Sequence, residues 1–291
     1  MAAVNTSTFH QIGVITRLTL REARRRSLLW IGLGLGLAFS ALFGVGFFFA
    51  QREFNLAVEE FDAAAMGSIT QDIFAGAFTT AGLYVINFLV VIIAVLTTVG
   101  AISAEIQTNT IHAIAVKPLR RWESVMGKWI GYAGMMTALT VLLVLGIIGP
   151  VWAISGYVPP NVLLVTAILV LESLSVMSVT LLGSTIVPTL ANGVLVFMLY
   201  GLAFIGGWVE QLGALLGSST AQDLGILSSL LLPSEALWRY AAGMLQENSV
   251  LGAFGPFTIT SQPSDAFVFY SIVYVIVMLV LSMWAFSRRD F

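Results

Sequence analysis

Residues 129–171 read WIGYAGMMTALTVLLVLGIIGPVWAISGYVPPNVLLVTAILVL and contain no Asp, Glu, Lys or Arg. A transmembrane helix needs about 20 consecutive apolar residues, so this stretch is too long for one span and long enough for two. Gly149-Pro150 interrupts it first, and the segment from Gly156 to Asn161 interrupts it again with residue types that favour turns. We therefore predict two membrane-spanning helices, at residues 129–154 and 162–186.

The composition of the whole chain agrees with a membrane protein. Of its 291 residues, 58% are hydrophobic and only 10% are charged, whereas soluble domains carry about 25% charged residues. The formal net charge of −2 argues against a nucleic-acid partner. There are no cysteines and only two histidines, His10 and His112, so we predict no metal site.

Charged residues mark the ends of the remaining spans. No charge occurs between Arg26 and Arg52, or between Asp72 and Glu105. Pro188 and Asn192-Gly193 favour a tight turn before a fifth span, and a sixth apolar run closes the chain. The predicted fold is therefore all-α with six transmembrane helices, the four further ones at residues 28–50, 81–104, 194–209 and 266–286.

The basic residues indicate how the chain is oriented. In a six-span arrangement every Lys and Arg except Arg52 and Arg239 falls on one side, before the first span, between the second and third, or after the sixth. The positive-inside rule makes that side cytoplasmic, together with both termini. We expect a multi-pass protein of the cell membrane, plasma or inner.

Three segments outside the spans have helical patterns. Residues 8–27 predict an interfacial helix with Arg17, Arg21 and Arg24 on one stripe. Residues 51–80 predict one short helix. Residues 210–265 form a predicted extracytoplasmic segment, in which residues 223–246 suggest one or two short helices lying on the membrane face, interrupted by Pro233.

The loop at residues 105–128 carries the most specific pattern. It begins with the acidic Glu105, followed by a turn at Asn109, Thr110 and Ile111. Pro118 comes next, with Arg120 and Arg121 after it, and the loop closes with Gly127 and Lys128. With this pattern the sequence resembles the permease subunits of type-2 ABC exporters. Asn109 stands where that family has glycine, and Asn tolerates the same left-handed turn. Residues 232–239 and 286–291 resemble later parts of the same family, so the resemblance covers residues 1–291 as a single transmembrane domain.

The resemblance implies a partner and a role for this loop. In such a permease a short helix over residues 105–116 would seat in a groove of a cytoplasmic ATPase subunit. The implied ATPase-coupling residues are Glu105, Asn109, Thr110, Ile111, Pro118, Arg120, Arg121 and Lys128. The implied complex holds two ATPase copies and a second permease, identical or related, and works as an exporter. Without the resemblance, the charges of the loop would be read as topology signals alone.

The chain lacks a phosphate-binding loop of its own. That loop reads Gly-x4-Gly-Lys-Ser/Thr, but Gly127-Lys128 is followed by Trp129, and position 122 is Trp122. We therefore expect no cofactor on this chain and no enzymatic activity, with ATP bound by the partner subunit. Two alternatives stay open: a stand-alone secondary transporter or channel, and a membrane component of an ABC complex that transports nothing.

Two features inside the spans need an explanation. Glu172 is the one charge within a predicted span, and burying it ionised costs at least about 2.5 kcal/mol. It is either a pathway or proton-linked group or a helix clamp, and we expect it to be protonated or hydrogen-bonded to Ser173, Ser175 or Ser178. Gly32 and Gly36 form a small-xxx-small face for helix packing, within the chain or between subunits.

Overall fold

The computed structural model describes residues 8–25, 27–60, 67–107, 121–246 and 261–288. Within these residues the fold is all-α, with ten helices and no strand. The helices are α1 (Thr8–Arg25), α2 (Ser27–Glu60), α3 (Gly67–Thr98), α4 (Ser103–Gln107), α5 (Arg121–Ser155), α6 (Val162–Ile186), α7 (Thr189–Leu216), α8 (Ser219–Leu231), α9 (Ser234–Gln246) and α10 (Asp265–Ser287).

Six parts of the described chain are long and apolar enough to cross a membrane. They are α2, α3 continued through α4, α5, α6, α7 and α10, which confirms the predicted number of spans and the fold class. The turn before α6 lies where Gly and Asn predicted it. Gly156 and Asn161 both adopt the left-handed backbone, with φ of 72° and 55°.

The first two spans are longer than the apolar runs alone predict. The separate short helix expected in residues 51–80 is wrong, because α2 runs on to Glu60 and α3 begins at Gly67. Arg52 and Glu53 are exposed, so their charges do not end the helix. The extensions pack on one another through aromatic rings, with the centroids of Phe54 and Phe74 4.5 Å apart.

The third span also starts earlier than predicted. Helix α5 begins at Arg121 rather than at residue 129, and it continues through Pro150 instead of breaking there.

The first turns of α5 are covered by α1. A Cβ added to Gly127 would lie 2.7 Å from the Cβ of Ile15, so glycine lets the two backbones approach closely. The buried face of α1 therefore packs on protein, while Arg17, Arg21 and Arg24 are exposed.

Helices α8 and α9 do not lie on a membrane face as predicted. Helix α8 folds back along α7, where a Cβ on Gly206 would collide with the Ser228 side chain. Tyr274 donates a hydrogen bond to the Leu231 carbonyl at the end of α8, 2.6 Å away. Tyr274 is nine residues into α10, which places the α8–α9 turn about 13 Å inside the bundle at 1.5 Å per residue. The two helices form a re-entrant hairpin, and residues 232–242, from its turn into its second arm, are all buried.

The bundle has two ends with different character. We call the end that holds α1, α4, the start of α5 and the close of α10 the basic end. Arg121 at the start of α5 donates to the Ser287 carbonyl at the close of α10, 3.3 Å away. The opposite end holds the close of α2, the start of α3 and the open side of the re-entrant hairpin.

Candidate functional site

Two polar sites stand out in the described part of the bundle. The first, which we call the loop base, consists of Val99–Glu105 and Arg121–Lys128, where the predicted coupling loop leaves and rejoins the bundle. The second, which we call the central cluster, consists of Asn87, Glu172, Tyr200 and Glu235 and lies near the middle of the spans.

A buried lysine joins the two sides of the loop base. Lys128 lies in the second turn of α5, and its side chain is 7% exposed. Its ammonium forms an ion pair with the Glu105 carboxylate on α4 and donates to the Ala101 carbonyl at 2.5 Å. The chain between residues 105 and 128 therefore begins and ends at one fixed point.

The second span is interrupted at this same point. Residues 99–102 are not helical, which separates α3 from α4. Asn192 on α7 donates to the Val99 carbonyl at 3.0 Å and to the Thr180 carbonyl at 2.9 Å. Carbonyls released by a break inside a membrane must find partners within the protein. Lys128 and Asn192 supply them, one from each neighbouring span.

Asn192 was predicted to lie in a turn, and that prediction is wrong. Asn192 is inside α7 and fully buried, whereas Pro188, the other predicted turn residue, does lie in the connection between α6 and α7. The Asn192 amide is needed in the helix to bridge two spans. The hydroxyls of Ser103 and Thr189, 2.7 Å apart, add a second bridge between α4 and α7.

Helix α1 is attached to the loop base. The Thr16 hydroxyl lies 3.1 Å from the Gly127 carbonyl, next to Lys128 in the chain, and 2.9 Å from the Ile12 carbonyl of its own helix. Any displacement of the start of α5 would therefore also move α1. Of the predicted coupling residues, Glu105, Arg121 and Lys128 meet at or near this base. The others, Asn109, Thr110, Ile111, Pro118 and Arg120, lie outside the described residues.

The central cluster is built around Glu172. Its side chain is 1% exposed, and one carboxylate oxygen accepts a hydrogen bond from the Asn87 amide of α3 at 3.0 Å. The other oxygen is buried and has no hydrogen-bond partner among the described residues. The predicted serine partners are wrong, because the hydroxyls of Ser173, Ser175 and Ser178 donate to carbonyls of α6 itself.

Helix α9 brings a second carboxyl group to Glu172. Glu235 lies in the first turn of α9, close enough to Glu172 for the two groups to interact electrostatically. A Cβ on Gly207 would lie 2.3 Å from the Glu235 Cγ, so α7 has a glycine where this side chain passes. Tyr200 on α7 lies within electrostatic reach of both carboxyl groups. Three helices therefore bring these side chains to one another.

The re-entrant hairpin carries a buried ion pair that the sequence reading did not find. Arg239 on α9 donates from both terminal nitrogens to the Glu210 carboxylate on α7, at 2.8 and 2.7 Å. Ser261 donates to the same carboxylate at 2.8 Å, and its carbonyl accepts from Arg239 at 3.2 Å. The available signal was that Arg239 is one of only two basic residues on its side of the chain.

Gly32 and Gly36 make contacts within the chain. A Cβ on Gly32 would lie 2.6 Å from Ile93 of α3, and one on Gly36 would lie 2.6 Å from Leu143 of α5. The two glycines thus let α2 pack closely on two neighbouring spans. Among the described residues no group of three His, Cys, Asp or Glu side chains is placed to hold a metal ion.

The architecture is that of a polytopic, all-α membrane protein with a polar loop base and a re-entrant hairpin. The family model described as "ABC-2 family transporter protein" matches residues 14–291, so the chain belongs to the ABC-2 transporter permeases. It is a multi-pass membrane component of an ABC transporter system, and the family implies an ATPase partner. No curated protein matches the chain.

Proposed function

We propose that this chain is the permease of an ATP-driven exporter and that residues 105–128 couple it to a separate ATPase subunit. The basic end then faces the cytoplasm of a cell with this protein in its plasma or inner membrane. Two ATPase copies bind below two permeases, this chain with a second copy or a related one. ATP is bound and hydrolysed only by the partner. The apolar spans favour a hydrophobic or amphipathic substrate.

The observation that carries the proposal is the buried Lys128–Glu105 pair at the loop base. A loop that only set topology would need exposed basic residues and no fixed base. Here both ends of the loop are fixed to each other, to the break in the second span and, through Asn192, to the fifth span. A displacement of the loop would reach three spans at once. That arrangement suits a segment that receives force from a partner.

Charge reversal in the loop tests this role. Replacing Arg120 and Arg121 together by Glu should abolish permease-stimulated ATP hydrolysis in the assembled complex, because charges orient such contacts. Arg52→Glu, which reverses an exposed charge at the opposite end, is the matched control and should leave stimulation unchanged. Both variants should insert at wild-type levels. Undiminished stimulation in the double reversal would contradict the coupling role.

Purification tests the composition of the complex. The tagged permease should retain an ABC ATPase, and the mass of the intact complex should correspond to two permeases and two ATPases. A chain that transports a solute in vesicles with no ATPase present would instead be a stand-alone transporter. A complex that hydrolyses ATP but moves no solute would be the third alternative, a component without a transport role.

A further inference from the structure

We propose that Glu172 is a proton-binding site, which holds a proton while α9 is seated against α6 and releases it to water when α9 moves away. This inference concerns the middle of the bundle and goes beyond the coupling function. It needs neither the ATPase nor the identity of the substrate. Its failure would therefore leave the proposed function intact.

Glu172 is buried deep in the bundle. It lies ten residues into α6, about 15 Å from the start of that helix, in a hydrocarbon layer about 30 Å thick. One oxygen is bonded to the Asn87 amide, and the other has no partner among the described residues. A carboxylate with an unpaired oxygen at that depth is strongly disfavoured, whereas a carboxylic acid is not charged at all.

The groups around Glu172 carry more negative than positive charge when all are ionised. The acidic groups within reach are Glu235 of α9 and, beyond it, Glu210 of α7. The guanidinium of Arg239 is already held by both oxygens of Glu210. Within the described ranges the other buried cation is Lys128, at the basic end and paired with Glu105. If Glu172, Glu235 and Glu210 were all ionised, the single guanidinium of Arg239 would face three negative charges.

The remaining neighbours do not change this balance. The other titratable groups near the cluster on α3 and α7 are tyrosines, Tyr84 and Tyr200. On α10, Tyr274 lies at the hairpin tip, where it donates to the Leu231 carbonyl. Tyr132 is the buried titratable residue that α5 contributes away from the basic end. A neutral tyrosine supplies no positive charge. Neutralising Glu172 therefore requires an added cation.

The chemistry of the site favours a proton over a metal ion. A metal ion needs several oxygen ligands, and no group of three suitable side chains occurs in the described residues. Aromatic rings pack beside the cluster, with Tyr84 and Trp238 5.3 Å apart and Phe88 and Tyr200 6.0 Å apart between centroids. A proton needs only the free Glu172 oxygen, which is present.

The proposal connects proton binding to the seating of α9. Helix α9 places Glu235 within electrostatic reach of Glu172 and packs Trp238 against Tyr84 of α3. The first turn of α9 follows the hairpin tip, which Tyr270 and Tyr274 hold. If α9 withdraws, water reaches the cluster. The O–H bond of Glu172 then breaks, the proton passes to water, and a hydrated carboxylate remains. Opening of the hairpin would thus release one proton per chain.

Infrared spectroscopy of the full-length protein in lipid nanodiscs tests the proposal. Near neutral pH, well above the ordinary carboxyl pKa of about 4.3, the wild type should show the carbonyl absorption of a protonated carboxylic acid. Glu172→Gln should clearly reduce it, and any absorption that remains belongs to the buried Glu235. Asp223→Asn, which changes an exposed carboxyl group on the neighbouring α8, should leave it in place. Full absorption in Glu172→Gln would overturn the assignment to Glu172.

A stability measurement provides a second, independent reading. The folded protein binds a proton that a water-exposed carboxyl group has lost, so raising the pH from mildly acidic to mildly alkaline should lower the unfolding temperature. This decrease should be smaller in Glu172→Gln than in the wild type and unchanged in Asp223→Asn. If Glu172→Gln does not fold, the wild type alone decides, because absence of a carboxylic acid absorption near neutral pH overturns the proposal.

Discussion

The loop base and the re-entrant hairpin solve the same problem at opposite ends of the bundle. In each, the helical backbone is interrupted, and a buried cation paired with a carboxylate holds the neighbouring helices in place. Lys128 does this for the break in the second span, and Arg239 does it for the hairpin. The basic end also displays many exposed arginines, whereas the hairpin shows little charge at its surface.

The two ion pairs differ in depth and geometry. The pair at the loop base is near the edge, since the Glu105 side chain is 23% exposed, while Arg239 and Glu210 are 2% and 6% exposed. Arg239 donates hydrogen bonds from two nitrogens to the Glu210 carboxylate, a bidentate geometry that a lysine cannot form. The comparison teaches that the number of charges in a segment says little about how much structure depends on them.

Arg239→Met should have the largest effect. It leaves the Glu210 carboxylate buried without its cation, and breaking such a pair costs about 3–5 kcal/mol. The expected result is a large drop in the denaturation midpoint of the purified protein. Combining it with Glu210→Leu should restore much of the loss, because no buried charge then remains. A single variant as stable as the wild type would mean that the pair does not hold the hairpin.

Lys128→Met should have an intermediate effect on stability. Its carboxylate partner is partly hydrated, so we expect a loss of about 1.5–3 kcal/mol, the range for hydrogen bonds to charged groups. The same variant should lose ATPase stimulation, because the loop would no longer be fixed to the second span. Lys128→Arg keeps the charge and serves as the comparison. Normal stimulation in Lys128→Met would separate the ion pair from coupling.

Tyr274→Phe should have the smallest effect. It removes the hydroxyl that donates to the Leu231 carbonyl at the hairpin tip, which is worth about 0.5–1.5 kcal/mol. The ring and its packing stay in place. A small decrease in the unfolding temperature is expected, with ATPase stimulation close to the wild type. Loss of folding in this variant would show that the tip, rather than the Glu210–Arg239 pair, is the main attachment of the hairpin.

The spans were predictable because apolar runs of this length have one common use. The ends of the helices were less predictable. Exposed charged residues such as Arg52 and Glu53 remain hydrated, so they can continue a helix beyond the apolar run. The hairpin was misplaced because an amphipathic helix has the same pattern whether it lies on a membrane or is inserted between helices. Asn192 next to Gly193 has the composition of a turn, and only the neighbouring spans reveal its role as a bridge.

The site was predictable only in part, for a similar reason. Glu172 and Lys128 were found because a rare charge in an apolar sequence, or a charge within a motif, is visible. Their partners, Asn87 and Glu105, lie 85 and 23 positions away in the sequence. Glu105 also follows a break in the helical backbone. Such pairings depend on tertiary packing, which the sequence pattern does not reveal. The roles of Asn109, Thr110, Ile111, Pro118 and Arg120 stay predictions.

The interruption at residues 99–102 has a mechanical consequence. Helix α5 runs from the close of the loop to the opposite end without a break, 35 residues or about 52 Å as a single lever. The second span does not cross the membrane as one continuous helix, because residues 99–102 separate α3 from α4. A displacement of the loop should therefore be transmitted across the membrane along α5. Helix α1, which packs on the start of α5, should move with it. Distance labels should report larger displacements at the far tip of α5 than at the same height on α3.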